Sequence, residues 1–213
     1  MVKVLAIAVF ILWAPLAPAA FFPEDSVKLP KGLKHRPKTS QMKVLEKFQE
    51  RAERTVEAQG AQLMLVAHWS DQRVNALAAR QGEVWEIHVY GGLLAHPELT
   101  DDEIILVLCH ELGHHLGGAP TASRGGWSAC EGQADYWSGQ FCAQLLDNPT
   151  SAALSLARLY ARSAGGWPEL ETKDPLVVKR TFYGYPSPQC RLDTLLAGFL
   201  GRPRPACWFV AEE

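Results

Sequence analysis

Two histidines four residues apart, His110 and His114, constrain this chain more than anything else in it. They lie in Leu108-Cys-His-Glu-Leu-Gly-His-His115, directly after the apolar run Ile104–Leu108. On a helix that spacing stacks both imidazoles on one face, with Cβ atoms about 5–6 Å apart. Two neutral imidazoles so presented suit a tetrahedral Zn²⁺. Glu111, one residue round from His110, can reach a water on the metal without being a ligand. The flanks fit a buried helix. Thr100-x-x-Glu103 reads as a capping box that starts it, and Gly117-Gly118 with Pro120 stops it.

A catalytic zinc needs a third protein ligand and an open position. Glu131 is the candidate, with Asp135 one helical turn further on. Ser128-x-x-Glu131 also reads as a capping box, which would occupy Glu131 without any metal. Capping, however, does not require an acid at 135. A ligating histidine does, since it donates its second N–H to a carboxylate.

His-Glu-x-x-His followed by Glu131-Gly-Gln-Ala-Asp135 resembles the gluzincins, and among them the M48 metallopeptidases with their H-E-x-x-H and E-x-x-A-D pattern. The resemblance extends to Asn75-Ala-Leu-Ala78, to Ile87–Leu94, and to Tyr185-Pro-Ser-Pro-Gln-Cys-Arg191-Leu, so it covers about residues 60 to 200. It implies His110, His114 and Glu131 as ligands of one Zn²⁺ per chain, Glu111 as general base and Asp135 as partner of a ligand histidine. The gap from His114 to Glu131 is shorter than in most members, and Tyr185 stands where the family often has histidine. Tyr185 is therefore expected to donate to the developing oxyanion. Arg191 is expected to orient substrate or to hold an acidic group of the site. The alternative is that Tyr185 packs in a proline-rich turn and Arg191 lies on the surface.

The expected fold is α+β and zincin-like: a small twisted sheet, an active-site helix and a helical C-terminal half. With 47% apolar residues among 213, the chain is long enough for one domain with a proper core. Its net charge of −2 suggests neither nucleic acid nor an acidic membrane as partner, and a monomer is expected. Met1 to Ala19 reads as a signal peptide: Lys3, an apolar core from Val4 to Trp13, and Ala17-Pro-Ala19 as cleavage site. That apolar run is too short to span a bilayer, so no stable membrane insertion is expected after cleavage. Export to a periplasm or the cell exterior follows, and with it disulfides among the five cysteines. Cys190–Cys207 is the preferred bridge, and Cys109–Cys142 would staple the two motif helices. Neither Cys109 nor Cys130 is expected to bind metal, although each adjoins a proposed ligand.

Residues 20–40, rich in proline and lysine, read as an extended linker or a short pro-segment before a domain spanning 41–213. Helical spacing runs over Gln41–Gln59, and strands are expected at Leu63–Val66, Arg73–Ala79 and Glu83–Tyr90, with a tight turn at Gln81-Gly82. In zincins an edge strand beside the metal pairs with the substrate backbone, so one of these should line the cleft. Helices are expected over Ser128–Leu146, Thr150–Ser163 and Arg191–Leu200, with an irregular loop over the cleft at Trp167–Gly184. His68, His88, His96 and His115 lack ligand spacing and read as surface or satisfied core residues.

The expected activity is zinc-dependent endopeptidase, acting on peptide or protein through a zinc-activated water with Glu111 as base. A zinc hydrolase of a non-peptide amide shares the same ligands. A non-catalytic, zinc-stabilised binding module would need no Glu111.

Overall fold

The computed structural model describes residues 19–23, 26–32 and 37–211. The expected signal peptide, Ala19 apart, lies outside the described residues. Amphipathic spacing builds the first helix, α1 (Lys38–Glu57), whose buried face is Gln41, Val44, Leu45, Phe48, Ala52 and Val56. It packs on a four-stranded sheet formed by β1 (Ala19–Ala20), β2 (Gln62–His68), β3 (Ala76–Gln81) and β4 (Val84–Tyr90). Their order is β1-β3-β4-β2, with β2 parallel to β4 and the other pairs antiparallel. β3 and β4 form a hairpin whose turn has Gly82 at φ +61°, a conformation that glycine adopts without steric cost.

β3 begins at Ala76, so the strand expected from Arg73 starts late. Residues 71–75 have another task. The carbonyls of Asp71 and Arg73 accept from the amides of Gly92 and Leu93 at the start of α2 (Gly91–Ala95). Asn75 meanwhile turns its amide to the N-terminal segment.

The helical half comprises α3 (Asp101–Leu116), α4 (Glu131–Cys142), α5 (Pro149–Ala164) and α6 (Pro188–Phe199). α3 is the central element, buried from Asp102 to His115 and packed on α1, β3, β4, α4 and α5. Its capping box forms as the sequence predicts, with Thr100 and Glu103 bonded reciprocally. α4 starts at Glu131 and not at Ser128, because Cys130 takes the N-cap position. The Ser128–Glu131 capping box therefore does not form, and the Glu131 carboxylate is directed elsewhere. Residues 167–187 are irregular and run beside α6 and the C-terminal tail, bonded through Glu169–Gln189, Asp174–Asp193 and Phe182–Trp208.

The preferred disulfide and the possible one are both present: Cys190–Cys207 ties the tail to α6, and Cys109–Cys142 joins α3 to the end of α4. Cys130 is the free, buried thiol. Among the described residues no helix is long and apolar enough to cross a membrane.

Candidate metal centre

Gly113, inside the His-Glu-x-x-His turn, sets the approach of α3 to α4. A Cβ there would lie 2.7 Å from the Ala134 carbonyl oxygen, so only glycine lets the helices cross this closely. The crossing brings the first turn of α4 against the histidine face of α3. There His110 Nε2 lies 3.1 Å from His114 Nε2 and 3.2 Å from a Glu131 oxygen, with the other Glu131 oxygen 3.9 Å from His114 Nε2. All three residues are buried, and each aims one donor atom at a common point.

The other edges of the rings fix their tautomers. His110 Nδ1 is 2.8 Å from an Asp135 oxygen, and His114 Nδ1 is 2.8 Å from the Ala129 carbonyl. Neither partner can donate, so each Nδ1 carries the proton and each neutral ring turns a lone pair inward. Two lone pairs at 3.1 Å, facing a carboxylate, require a positive charge between them. Where no metal supplies that charge, a proton on His110 does. Burial disfavours a charge on His110, yet Asp135 and Glu131 outweigh it and lift its pKa to about 9. Burial, reinforced by His110, drives His114 down to about 3. Two imidazoles and a carboxylate form a donor set that zinc accepts.

Asp135 is wholly buried and serves His110 and Arg191 together. Arg191 Nε and Nη2 reach its two oxygens at 2.8 and 2.9 Å. Burial alone would raise Asp135, but these partners hold its pKa at about 2. Arg191 is therefore an interior residue and not a surface one, and Nη1 donates to the Phe21 carbonyl at 2.6 Å. Burial opposes the charge on Arg191, and Asp135 more than restores it, raising the guanidinium above its ordinary value.

Glu111 is completely buried, and among the described residues no side chain bonds its carboxylate, the Ala78 main chain alone lying close. Burial pushes its pKa up to about 8 against the opposing charge of His110, and a cation held by the neighbouring donors would bring it down again and leave the carboxylate ionised. Tyr185 reaches the site from the irregular segment, and its hydroxyl donates to the Ala20 carbonyl at 2.8 Å. Burial and then the acidic neighbours Glu131 and Glu111 raise that phenol's pKa.

The other histidines lie apart from the centre. His115 is stacked between Trp85 and Trp127 and bonded to the Glu86 carbonyl. His68 and His88 pair at 2.9 Å, and His88 is held by the Glu86 carboxylate. His96 is buried and accepts from the Glu98 amide. Two participants left little trace in the sequence. The Ala129 partner of His114 is a backbone carbonyl, which any residue type supplies. Asn75 binds main chain rather than a motif residue, although it stands first in the Asn75–Ala78 stretch.

Residues 39–126 match the model for peptidase family M48. The match runs from the start of α1 through His110 and His114 and stops short of Glu131. No curated protein and no solved structure matches the chain. The stretch similar to family M48 thus carries two of the three candidate metal donors and α4 supplies the third, within a zincin-like α+β fold.

Proposed function

We propose that the chain is a zinc-dependent endopeptidase. The observation that carries this reading is Glu111: a buried carboxylate that no side chain among the described residues binds, one residue from a three-donor metal cluster. A structural metal site gains nothing from such a group. A hydrolytic site requires one to accept a proton.

His110, His114 and Glu131 would hold the ion, which when bound polarises a carbonyl and acidifies water toward pKa ~7. Glu111 takes the proton of the attacking water on a carboxylate oxygen and passes it to the leaving nitrogen. Asp135 keeps His110 in the tautomer that presents Nε2, and Arg191 fixes Asp135. The Tyr185 hydroxyl donates to the carbonyl oxygen as negative charge builds on it, sharing a load whose loss can cost ~10²–10³ in rate. Peptide, rather than another amide, is favoured by β3, whose outer edge beside α3 pairs with an extended segment in antiparallel fashion. The two disulfides support an exported chain.

The test is casein hydrolysis with parallel zinc analysis. Glu111→Gln is expected to keep one zinc and lose turnover, while His114→Ala loses the metal itself. Equal zinc in wild type and His114→Ala would remove the assignment.

A further inference from the structure

The cleft is not empty of polypeptide. Ala19 and Ala20 add to the outer edge of β3, in register Ala19↔Ala78 and Ala20↔Leu77. The chain then crosses the face of the candidate centre. Phe21 sets its ring edge-on to His110, centroids 4.9 Å apart, with the Arg191 guanidinium 4.2 Å from its centroid. Its side chain is buried, and with Leu156, Ala157, Tyr160, Arg191 and Leu195 it lines a residual cavity of only about 10 Å³. Phe22 is fully buried, and Asn75 clamps its backbone on both sides: Phe22 N–H donates to Oδ1 at 3.0 Å, and Nδ2 donates to the Phe22 carbonyl at 2.9 Å.

The polar contacts follow a pattern. Two side chains of the site reach two consecutive carbonyls of this segment, Tyr185 to Ala20 and Arg191 to Phe21. The Phe21 amide, between them, points to the Ala76 carbonyl of β3 at 3.4 Å. A segment that was only core filler would place its rings, with no need for its carbonyls to meet the oxyanion donor and the buried arginine in turn. Antiparallel edge pairing, a gripped carbonyl at the proton-donating tyrosine and a side chain in a closed pocket are how an extended peptide substrate is held.

We propose that Ala19–Phe22 is a tethered occupant of the substrate cleft, bound as a substrate is bound. Ala20–Phe21 is the peptide bond presented to the site, and the pocket of Phe21 takes an aromatic side chain directly after that bond. The inference rests on the endopeptidase reading and deepens it. While the segment stays, it competes with external peptide, because a tethered competitor acts at an effective concentration in the millimolar range. Cleavage after Ala19, as the sequence leads one to expect, leaves Ala20, Phe21 and Phe22 on the chain and keeps the cleft filled. Hydrolysis of the Ala20–Phe21 bond would not free the cleft either, since Arg191 and Asn75 still hold the Phe21 side. The segment thus holds turnover of external peptide to a low residual level until it is drawn out.

The test uses the zinc-loaded full chain and the peptide Ala-Ala-Phe-Phe-Pro. In a Glu111→Gln background, calorimetry is expected to show no binding of this peptide by the parent. Adding Phe21→Ala is expected to tighten binding on the order of tenfold or more. Replacing the first phenylalanine of the peptide by alanine should remove that gain. With Glu111 intact, Phe21→Ala should cleave the peptide between alanine and phenylalanine faster than the parent by a similar factor. Equal peptide binding with and without Phe21→Ala overturns the proposal. Tight binding by Phe21→Ala without any cleavage upholds the occupancy and overturns the peptidase reading instead. Should Phe21→Ala not fold, a specific protease site inserted at the exposed Lys31-Gly32 turn allows the folded parent to be nicked. Washing the nicked segment away is expected to raise binding and turnover equally, and an unchanged chain after its removal overturns the proposal.

Discussion

Asp135 holds two donors at once, the imidazole of His110 and the guanidinium of Arg191, with no solvent to share the load. Asp135→Asn keeps the shape but removes the charge and one acceptor oxygen, so the hold on the His110 tautomer weakens. Zinc affinity is expected to fall about 10–100-fold. Stability should fall as well, by about 3–5 kcal/mol, because Arg191 is left buried without a counter-charge. Competition titration with a chelator and urea unfolding read the two effects separately, and an unaltered zinc affinity would confine Asp135 to its pairing with Arg191. Tyr185 makes a different kind of contribution. Its hydroxyl is placed on a carbonyl and not on the metal donors. Tyr185→Phe, measured with Phe21→Ala also present so that the segment does not compete, should lower kcat by ~10²-fold or more. Zinc content and KM should barely move, since the lost bond matters when charge has built up. An undiminished kcat would require the donor to be another group.

The angle between α3 and α4 depends on one missing methyl. Gly113→Ala would press a Cβ into the Ala134 carbonyl, so the helices must separate. Since His110 and His114 lie on one helix and Glu131 and Asp135 on the other, separation loosens the donor cluster even though no donor is altered. Zinc affinity is expected to drop at least ~10-fold, as for loss of a group that orients a ligand. Retained affinity in Gly113→Ala would show that the crossing has slack. The Cys109–Cys142 bridge closes a loop of 33 residues between the same helices, worth roughly 3–4 kcal/mol through the unfolded chain. Cys109→Ala with Cys142→Ala should lower stability by about that amount in calorimetry. These elements also show what sequence could reveal. The i, i+4 histidines, the Thr100–Glu103 box and the apolar run were legible because α3 satisfies helix capping and burial locally. The start of α4 was not, because the Ala129 carbonyl is drawn to the His114 ring and Cys130 becomes the cap. Nor was the start of β3, where the carbonyls of residues 71 and 73 serve the amides of α2. Two phenylalanines in a stretch rich in proline and lysine have no period at all. Their burial is decided by a cleft assembled from Asn75, Tyr160 and Arg191, which the linear chain keeps far apart.

The molecule is two packed halves sharing α3, with the cleft where the edge of the sheet meets the helices. Every group of the candidate centre depends on that junction: α3 and α4 bring the metal donors, α6 brings Arg191, and the segment before α6 brings Tyr185. Zinc would therefore join α3 to α4 a second time, beside Cys109–Cys142. With the ion a thousandfold above its dissociation constant, the folded state gains about 4 kcal/mol. For a chain of this size that corresponds to roughly 8–16 °C in Tm, so chelation should lower the midpoint by about that much in scanning calorimetry. The size of the drop should depend on the bridge. With Cys109–Cys142 intact, the donors are held near one another even without metal, and their mutual repulsion is contained. With Cys109→Ala and Cys142→Ala, the same repulsion is free to part the helices. Chelation should then cost more than the sum of the two separate losses, because both ties act on one pair of elements. Strict additivity would mean that the metal stabilises the first turn of α4 alone. A midpoint indifferent to chelation, in protein shown by metal analysis to have lost its zinc, would mean that the donor cluster is not part of what holds the two halves together.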